Sequence, residues 1–231
     1  KIIIAIGVFF VLVIGYHFLT LHLIRVKVTP QTHMAEPQKD IVHEQRQVKT
    51  LPDKKESSLT IEQQKELQTI KVRPLIYNGP SYVKHVAITF DDGPDTLVTP
   101  QILDILKQHH VYATFFVQGN QSKKYSHILK RIYEDGHTIG NHSFNHPQFT
   151  KLSNKEMRHQ LRSTEEEIQK VIGKRPALFR APYGDTNEEV IAQVHKRGYR
   201  LIQWNIDTYD WRGRSAKNIR ATIQKNLKPG A

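Results

Sequence analysis

Two adjacent carboxylates, Asp91 and Asp92, sit between Phe90 and the dipeptide Gly93-Pro94. Taken alone, Asp-Gly-Pro reads as a turn with a helix cap. His142 and His146 bracket the run His-Ser-Phe-Asn-His. On a helical turn that spacing aims both imidazoles one way, which suits chelation of a metal; in isolation it reads as two surface histidines. Together the groups read differently. Two histidines and one carboxylate at one rim make a three-ligand set with an open position, the arrangement that a catalytic Zn²⁺ needs to hold and activate water. The chain has no cysteine and 13 histidines, so a metal would be held by imidazole and carboxylate. Two further polar clusters stand out, Arg180-Ala181-Pro182-Tyr183 and Asp207-Thr208-Tyr209-Asp210-Trp211.

These clusters need a scaffold that brings them together. His85 to Phe90 is a short apolar, β-branched run ending at the Asp pair, which predicts a buried strand and then a turn. Ile102, Leu103, Ile105 and Leu106 give Pro100 to His109 helical spacing. Tyr112 to Val117 is a second strand, Ser122 to Glu134 a helix stopped by Gly136, and Thr138 to Gly140 a third strand. Ser153 and Glu156 form a capping box that opens a helix to Val171, stopped at Gly173. Then follow a strand over Ala177 to Phe179, a helix capped by Thr186 and Glu189 and ending at Lys196, and a strand over Tyr199 to Trp204. A last helix covers Ser215 to Leu227. Alternating strands and helices argue for a parallel α/β arrangement, open or closed, with its chemistry at the strands' carboxyl ends. Each polar cluster falls just past such an end, so all four converge on one rim. Trp204, inside a strand, reads as core packing.

Thr89-Phe90-Asp91-Asp92-Gly93-Pro94, His142-Ser143-x-x-His146, Arg180-x-Pro182-Tyr183 and Asp207-x-x-Asp210-Trp211 resemble, in order and rough spacing, the first four motifs of the polysaccharide deacetylases. This is carbohydrate esterase family 4, the NodB-homology domain. The resemblance covers about residues 82 to 231, and it extends to the membrane-anchored peptidoglycan N-acetylglucosamine deacetylases of Gram-positive cells. It implies a deformed parallel (β/α) barrel. It implies that Asp92, His142 and His146 bind a divalent metal: Zn²⁺ first, with Co²⁺ or Ni²⁺ also compatible with the donor set. Asp91 is then the general base that takes a proton from the attacking water, with a low pKa expected beside a cation. Arg180 orients Asp91, Tyr183 offers its backbone N–H to the developing oxyanion, Asp207 orients a catalytic histidine, and Trp211 lines the pocket for the acetyl methyl. The family's acid histidine, carried by a fifth motif after a Pro-Gly turn, is expected beyond Pro229-Gly230-Ala231. The barrel is accordingly expected to be truncated before its last strand or strands, and both ends of the chain to be cut.

Ahead of that domain, Ile2 to Ile24 is almost wholly apolar, broken only by Tyr16, His17, Thr20 and His22. About 20 helical residues cross a bilayer, so residues 1–24 are read as an uncleaved transmembrane signal anchor. Residues 25–81, polar and punctuated by proline, are read as a stalk or linker with a short helix over Ser58 to Ile70. The formal charge, 34 − 22 = +12, suits an acidic partner or a soluble basic surface, while no nucleic-acid motif is present. The expected protein is thus a monomeric, single-pass cell-membrane enzyme. Its catalytic domain, residues 82–231, lies outside and removes N-acetyl groups from a cell-surface glycan, peptidoglycan before chitooligosaccharide or poly-N-acetylglucosamine. The competing expectations are a catalytically silent wall-binding domain of the same fold and a hydrolase of another amide.

Overall fold

The computed structural model describes residues 4–5, 59–72 and 75–231. In chain order its elements are β1 (Ile4–Ala5), α1 (Ile61–Val72), β2 (Leu75–Ile76), β3 (Thr89–Asp91), α2 (Val98–Gln108), β4 (Thr114–Val117), α3 (Gly119–Lys124), α4 (Ser126–Glu134), β5 (Thr138–Asn141), α5 (Asn154–Ile172), β6 (Leu178–Phe179), α6 (Glu188–Lys196), β7 (Arg200–Ile202) and α7 (Ala216–Asn226). The strands form one sheet in the order β1-β3-β4-β5-β6-β7-β2. From β3 through to β2 every pairing is parallel, and β1 is antiparallel on the outer flank of β3. Among the described residues this is an open, half-barrel form of the expected parallel α/β fold, with β1 and β2 at its edges. Backbone bonds nonetheless link the two flanks of the parallel run: Gly79 N–H donates to Gly230 O, Gly230 N–H to His85 O, and Ala87 N–H to Ala231 O.

The strands are short, apolar and buried on both faces, as parallel strands covered by helices must be. Phe90 pairs in register with Phe115, Phe116 with Gly140, and Phe179 with Leu201. Ile102, Leu103 and Leu106 of α2, Leu129 and Ile132 of α4 and Ile168 of α5 pack on Phe90, Phe115, Val117 and Ile139. Further along the sheet, Met157 and Leu161 of α5 and Val190 and Val194 of α6 pack with Phe149, Phe179 and Leu201. Helix α5 serves both clusters because Met157, Leu161, Thr164, Glu165 and Ile168 recur at helical spacing on one face. Its capping box forms as the sequence predicts, and Gly173 ends it in the left-handed conformation at φ 71°.

Several elements differ from the sequence reading. The helix expected over Ser122 to Glu134 is two helices, α3 and α4, broken at Tyr125 (φ −120°, ψ 47°). The cap of α6 is Asn187, whose side chain accepts from Val190 N–H at 2.9 Å, rather than Thr186. Leu75 and Ile76, in the segment read as stalk, pair in parallel with β7, so the sheet draws on residues before 82. The anchor expected at 1–24 lies outside the described residues, apart from Ile4 and Ala5 of β1. Among the described residues no helix is long and apolar enough to cross a membrane.

Candidate active site

Asp92, His142 and His146 meet at the carboxyl ends of β3 and β5, with their candidate ligand atoms all within 4.8 Å of one another. Asp92 Oδ1 lies 3.5 Å from His142 Nε2 and 3.2 Å from His146 Nε2. The histidines are not on a helical turn, as their spacing suggested. They sit on a loop in which Ser143 and His146 take positive φ of 67° and 61°, and the rings meet edge-on with centroids 5.0 Å apart. His142 is fixed from behind: Nδ1 donates to Arg180 O at 2.8 Å, which sets the tautomer and leaves the Nε2 lone pair toward Asp92. Burial pulls the His142 pKa down to about 4, so the imidazole is neutral and able to ligate. Both Nε2 atoms are buried with no hydrogen-bond partner. Buried polar atoms are rarely left so; two orphaned lone pairs converging on a carboxylate fit a divalent cation. Gln118 Nε2 donates to Asp92 Oδ1 at 2.8 Å, which steadies the carboxylate.

Asp91, the last residue of β3, is 1% exposed, as is Arg180 just past β6. Arg180 Nη1 donates to Asp91 Oδ1 at 2.7 Å and to Thr89 Oγ1 at 2.8 Å. Its Nη2 and Nε reach the carbonyls of Gln203 and Ile202 at 3.1 and 3.3 Å. The guanidinium lies 4.1 Å over the Phe116 ring and 5.4 Å from that of Trp204. Gly140 makes this stack possible, because a Cβ there would collide with the Phe116 ring. The Asp91–Arg180 pair is therefore a buried clamp rather than a surface salt bridge. Burial pushes the Asp91 pKa upward, against the charge and hydrogen bond of Arg180; the low value expected beside a cation belongs to the occupied site.

Of the remaining predicted residues, Tyr183 and Asp207 approach these groups. Tyr183 (φ 62°) sits in a 3₁₀ turn over Pro182–Gly184, its ring 4.5 Å from that of His146. Asp207 accepts from Tyr209 N–H at 2.8 Å and adds its negative charge to the upward push on Asp91. Trp211 is 42% exposed, with the Arg212 guanidinium 4.4 Å from its ring. Trp204, read as core packing, is only half-buried and lines a cavity of about 130 Å³ with Arg180, Gln203 and Asn205. Gln118 escaped the sequence reading; that it directly follows β4 at the same rim was the available signal. Of the six non-glycine residues with positive φ among the described residues, all but His110 lie in these loops: Asp92, Ser143, His146, Tyr183 and Tyr209.

A half-barrel of parallel strands with Asp-Asp, His-x-x-x-His and a buried Arg at its carboxyl rim defines the class. The family pattern described as polysaccharide deacetylase matches residues 78–202, and the chain belongs to that family. It is 43% identical over 155 residues to a peptidoglycan-N-acetylglucosamine deacetylase of Bacillus cereus, covering 67% of this chain and 56% of that one. It is 39% identical over 181 residues to the peptidoglycan-N-acetylmuramic acid deacetylase PdaC of Bacillus subtilis, covering 78% and 37%. The chain thus spans about half, or less, of the length of these relatives. Among solved structures it is similar to a peptidoglycan N-acetylglucosamine deacetylase (40% identity, TM-score 0.68, 72% of this chain and 78% of that one). It is also similar to a family 4 pseudoenzyme from Bacillus anthracis (32% identity, TM-score 0.67, 69% and 57%).

Proposed function

We propose that the chain is the catalytic part of a metal-dependent N-deacetylase acting on the N-acetylglucosamine of peptidoglycan. The observation that carries this reading is the pair of orphaned imidazole Nε2 atoms facing Asp92 beside a clamped, buried Asp91. Asp92, His142 and His146 would hold a divalent ion, Zn²⁺ by the donor set, which when bound acidifies water and polarises the amide carbonyl. Asp91 takes the proton of the attacking water, held in place by Arg180. Tyr183 N–H faces the developing oxyanion, Asp207 supports the rim, and Trp211 covers the acetyl methyl. The names of the relatives support a peptidoglycan substrate, two of those above being named for N-acetylglucosamine and one for N-acetylmuramic acid. We place the protein at the cell membrane through residues 2–24, with the domain outside; the apolar run supports this, and protease added to intact protoplasts should then remove the domain.

The test is mass spectrometry of purified wall glycan before and after incubation with the protein and Zn²⁺. Loss of acetyl mass at glucosamine residues is expected. Loss only at muramic acid would move the substrate assignment, and metal binding without acetate release would make the chain a catalytically silent wall-binding domain.

A further inference from the structure

A continuous line of hydrogen bonds runs from an arginine pair at the back of the sheet to the loop that carries His142 and His146. Asn141, the last residue of β5, is fully buried. Its Nδ2 donates to Leu161 O at 2.9 Å and to Tyr199 Oη at 3.0 Å, and its Oδ1 accepts from Ser143 N–H at 2.9 Å. Ser143 Oγ in turn accepts from His146 N–H at 3.0 Å. Behind Asn141, Tyr199 Oη donates to Glu165 Oε2 at 3.0 Å. Glu165 is held by Arg175, through Nε at 2.8 Å and Nη2 at 2.9 Å, and by Arg197 Nη2 at 3.1 Å.

The polarity of this line is dictated from its far end. A carboxylate between two guanidinium groups accepts hydrogen bonds and donates none. Tyr199 must therefore turn its O–H to Glu165, which leaves its oxygen to accept. Burial, with Glu165 alongside, pushes the Tyr199 pKa up, so the hydroxyl keeps that proton. Only the NH₂ side of the Asn141 amide can meet both this waiting oxygen and the Leu161 carbonyl, and the amide oxygen is then turned toward Ser143 N–H. With the opposite polarity, an NH₂ group would face that N–H and the loop would lose its anchor. The anchor is needed because Ser143 and His146 hold left-handed backbones, which persist only where surrounding contacts impose them.

We propose that Glu165, Tyr199 and Asn141 are positioning residues for the metal centre: the acceptor-only carboxylate sets the direction of the relay, the relay sets the Asn141 amide, and the amide sets the backbone that presents His146. The inference rests on the metal-site reading above and adds three residues to it, none of which touches the ion or the substrate.

Tyr199→Phe removes one hydroxyl and leaves Glu165 on its arginines. Zn²⁺ affinity of the full chain, measured by competition with a chromogenic chelator, should weaken about tenfold, the lower end of the effect of outer-shell partners. Ile132→Val, in the other core cluster, is the reference for a purely structural loss: the Tm of its metal-free form falls, and its Zn²⁺ affinity stays that of the wild type. Turnover by Tyr199→Phe should return toward the wild-type rate once Zn²⁺ saturates the weakened site. Unchanged Zn²⁺ affinity in Tyr199→Phe, with binding still abolished in His146→Ala, overturns the relay and leaves the metal site standing. A wild type that binds no Zn²⁺, or a His146→Ala variant that binds it equally well, overturns both.

Discussion

Replacing Arg180 by Met tests the clamp on the base. The side chain is 1% exposed and its guanidinium serves one carboxylate, one hydroxyl and two backbone carbonyls. Met matches the length of the stem and fills similar space, so the loss is chiefly electrostatic. Removing one partner of a buried ion pair leaves an uncompensated charge and is destabilising by about 3–5 kcal/mol. At roughly 2–4 °C per kcal/mol for a domain of this size, Tm should fall by about 6–20 °C. Asp91 is already pushed upward by burial, with Arg180 the main opposing influence. Without Arg180 its carboxyl titrates higher still and loses the group that orients it, so turnover should fall by up to the general-base contribution, on the order of 10²–10⁴ in rate. The double variant Asp91→Asn/Arg180→Met decides the matter, because it removes the stranded charge together with its partner. Calorimetry of the metal-free proteins should show the double variant more stable than the sum of the two single losses predicts. Strict additivity, or an Arg180→Met variant with unchanged Tm, would refute the clamp.

Other outcomes follow from the same geometry. His142→Ala and His146→Ala should each lose the divalent ion, about one per chain in the wild type, as read by elemental analysis of dialysed protein. Gly140→Ala should be destabilised by about 1–3 kcal/mol, the usual cost of overpacking, and should lose turnover, because the new methyl displaces the Phe116 ring beneath Arg180; denaturant titration and acetate release read the two effects. His137 is buried against Phe115, its Nδ1 accepting from Ala113 N–H, and burial pulls its pKa below 6.5. Between the folded and unfolded pKa values the unfolded chain binds a proton that the folded one refuses, so stability must fall as pH drops below about 6.5, by at most about 1.4 kcal/mol per pH unit from this group. His137→Asn, which keeps an acceptor for Ala113, should show a shallower decline between pH 7.5 and 5.5 in urea midpoints; an equal decline would assign the proton elsewhere.

The parts of the site that carry chemistry in their own side chains were legible in the sequence, because Asp92, His142, Arg180 and Asp207 each follow a recognisable strand. What surrounds them was not. Asn141 and Tyr199 are 58 residues apart, and nothing local in either neighbourhood predicts that they touch. The upward shift of Asp91 depends on burial, which the string Asp-Asp-Gly-Pro does not reveal. The two residues of β2 carry too little periodicity to separate from the polar segment before them. The break at Tyr125 falls inside a run that is helical on both sides, without a Gly or Pro to mark it. The converging histidines were found for a partly wrong reason: the loop conformation, and not a helical turn, aims them.

That loop conformation also bears on how such a chain ages under mutation. Asp92, Ser143, His146, Tyr183 and Tyr209 hold backbones that glycine adopts freely and other residues resist. Left-handed strain of this kind costs stability, and at the rim it is tied to the groups that it presents. A lineage released from catalysis gains stability by letting these five positions relax, and glycine or asparagine there is the first step open to it. The rim loops are thus a record of use: side chains retained at strained positions mark a descendant still under selection for turnover, and their erosion should precede any decay of the strands beneath. In a laboratory screen for thermal tolerance, the same five positions should collect the variants that gain heat resistance as they lose the reaction.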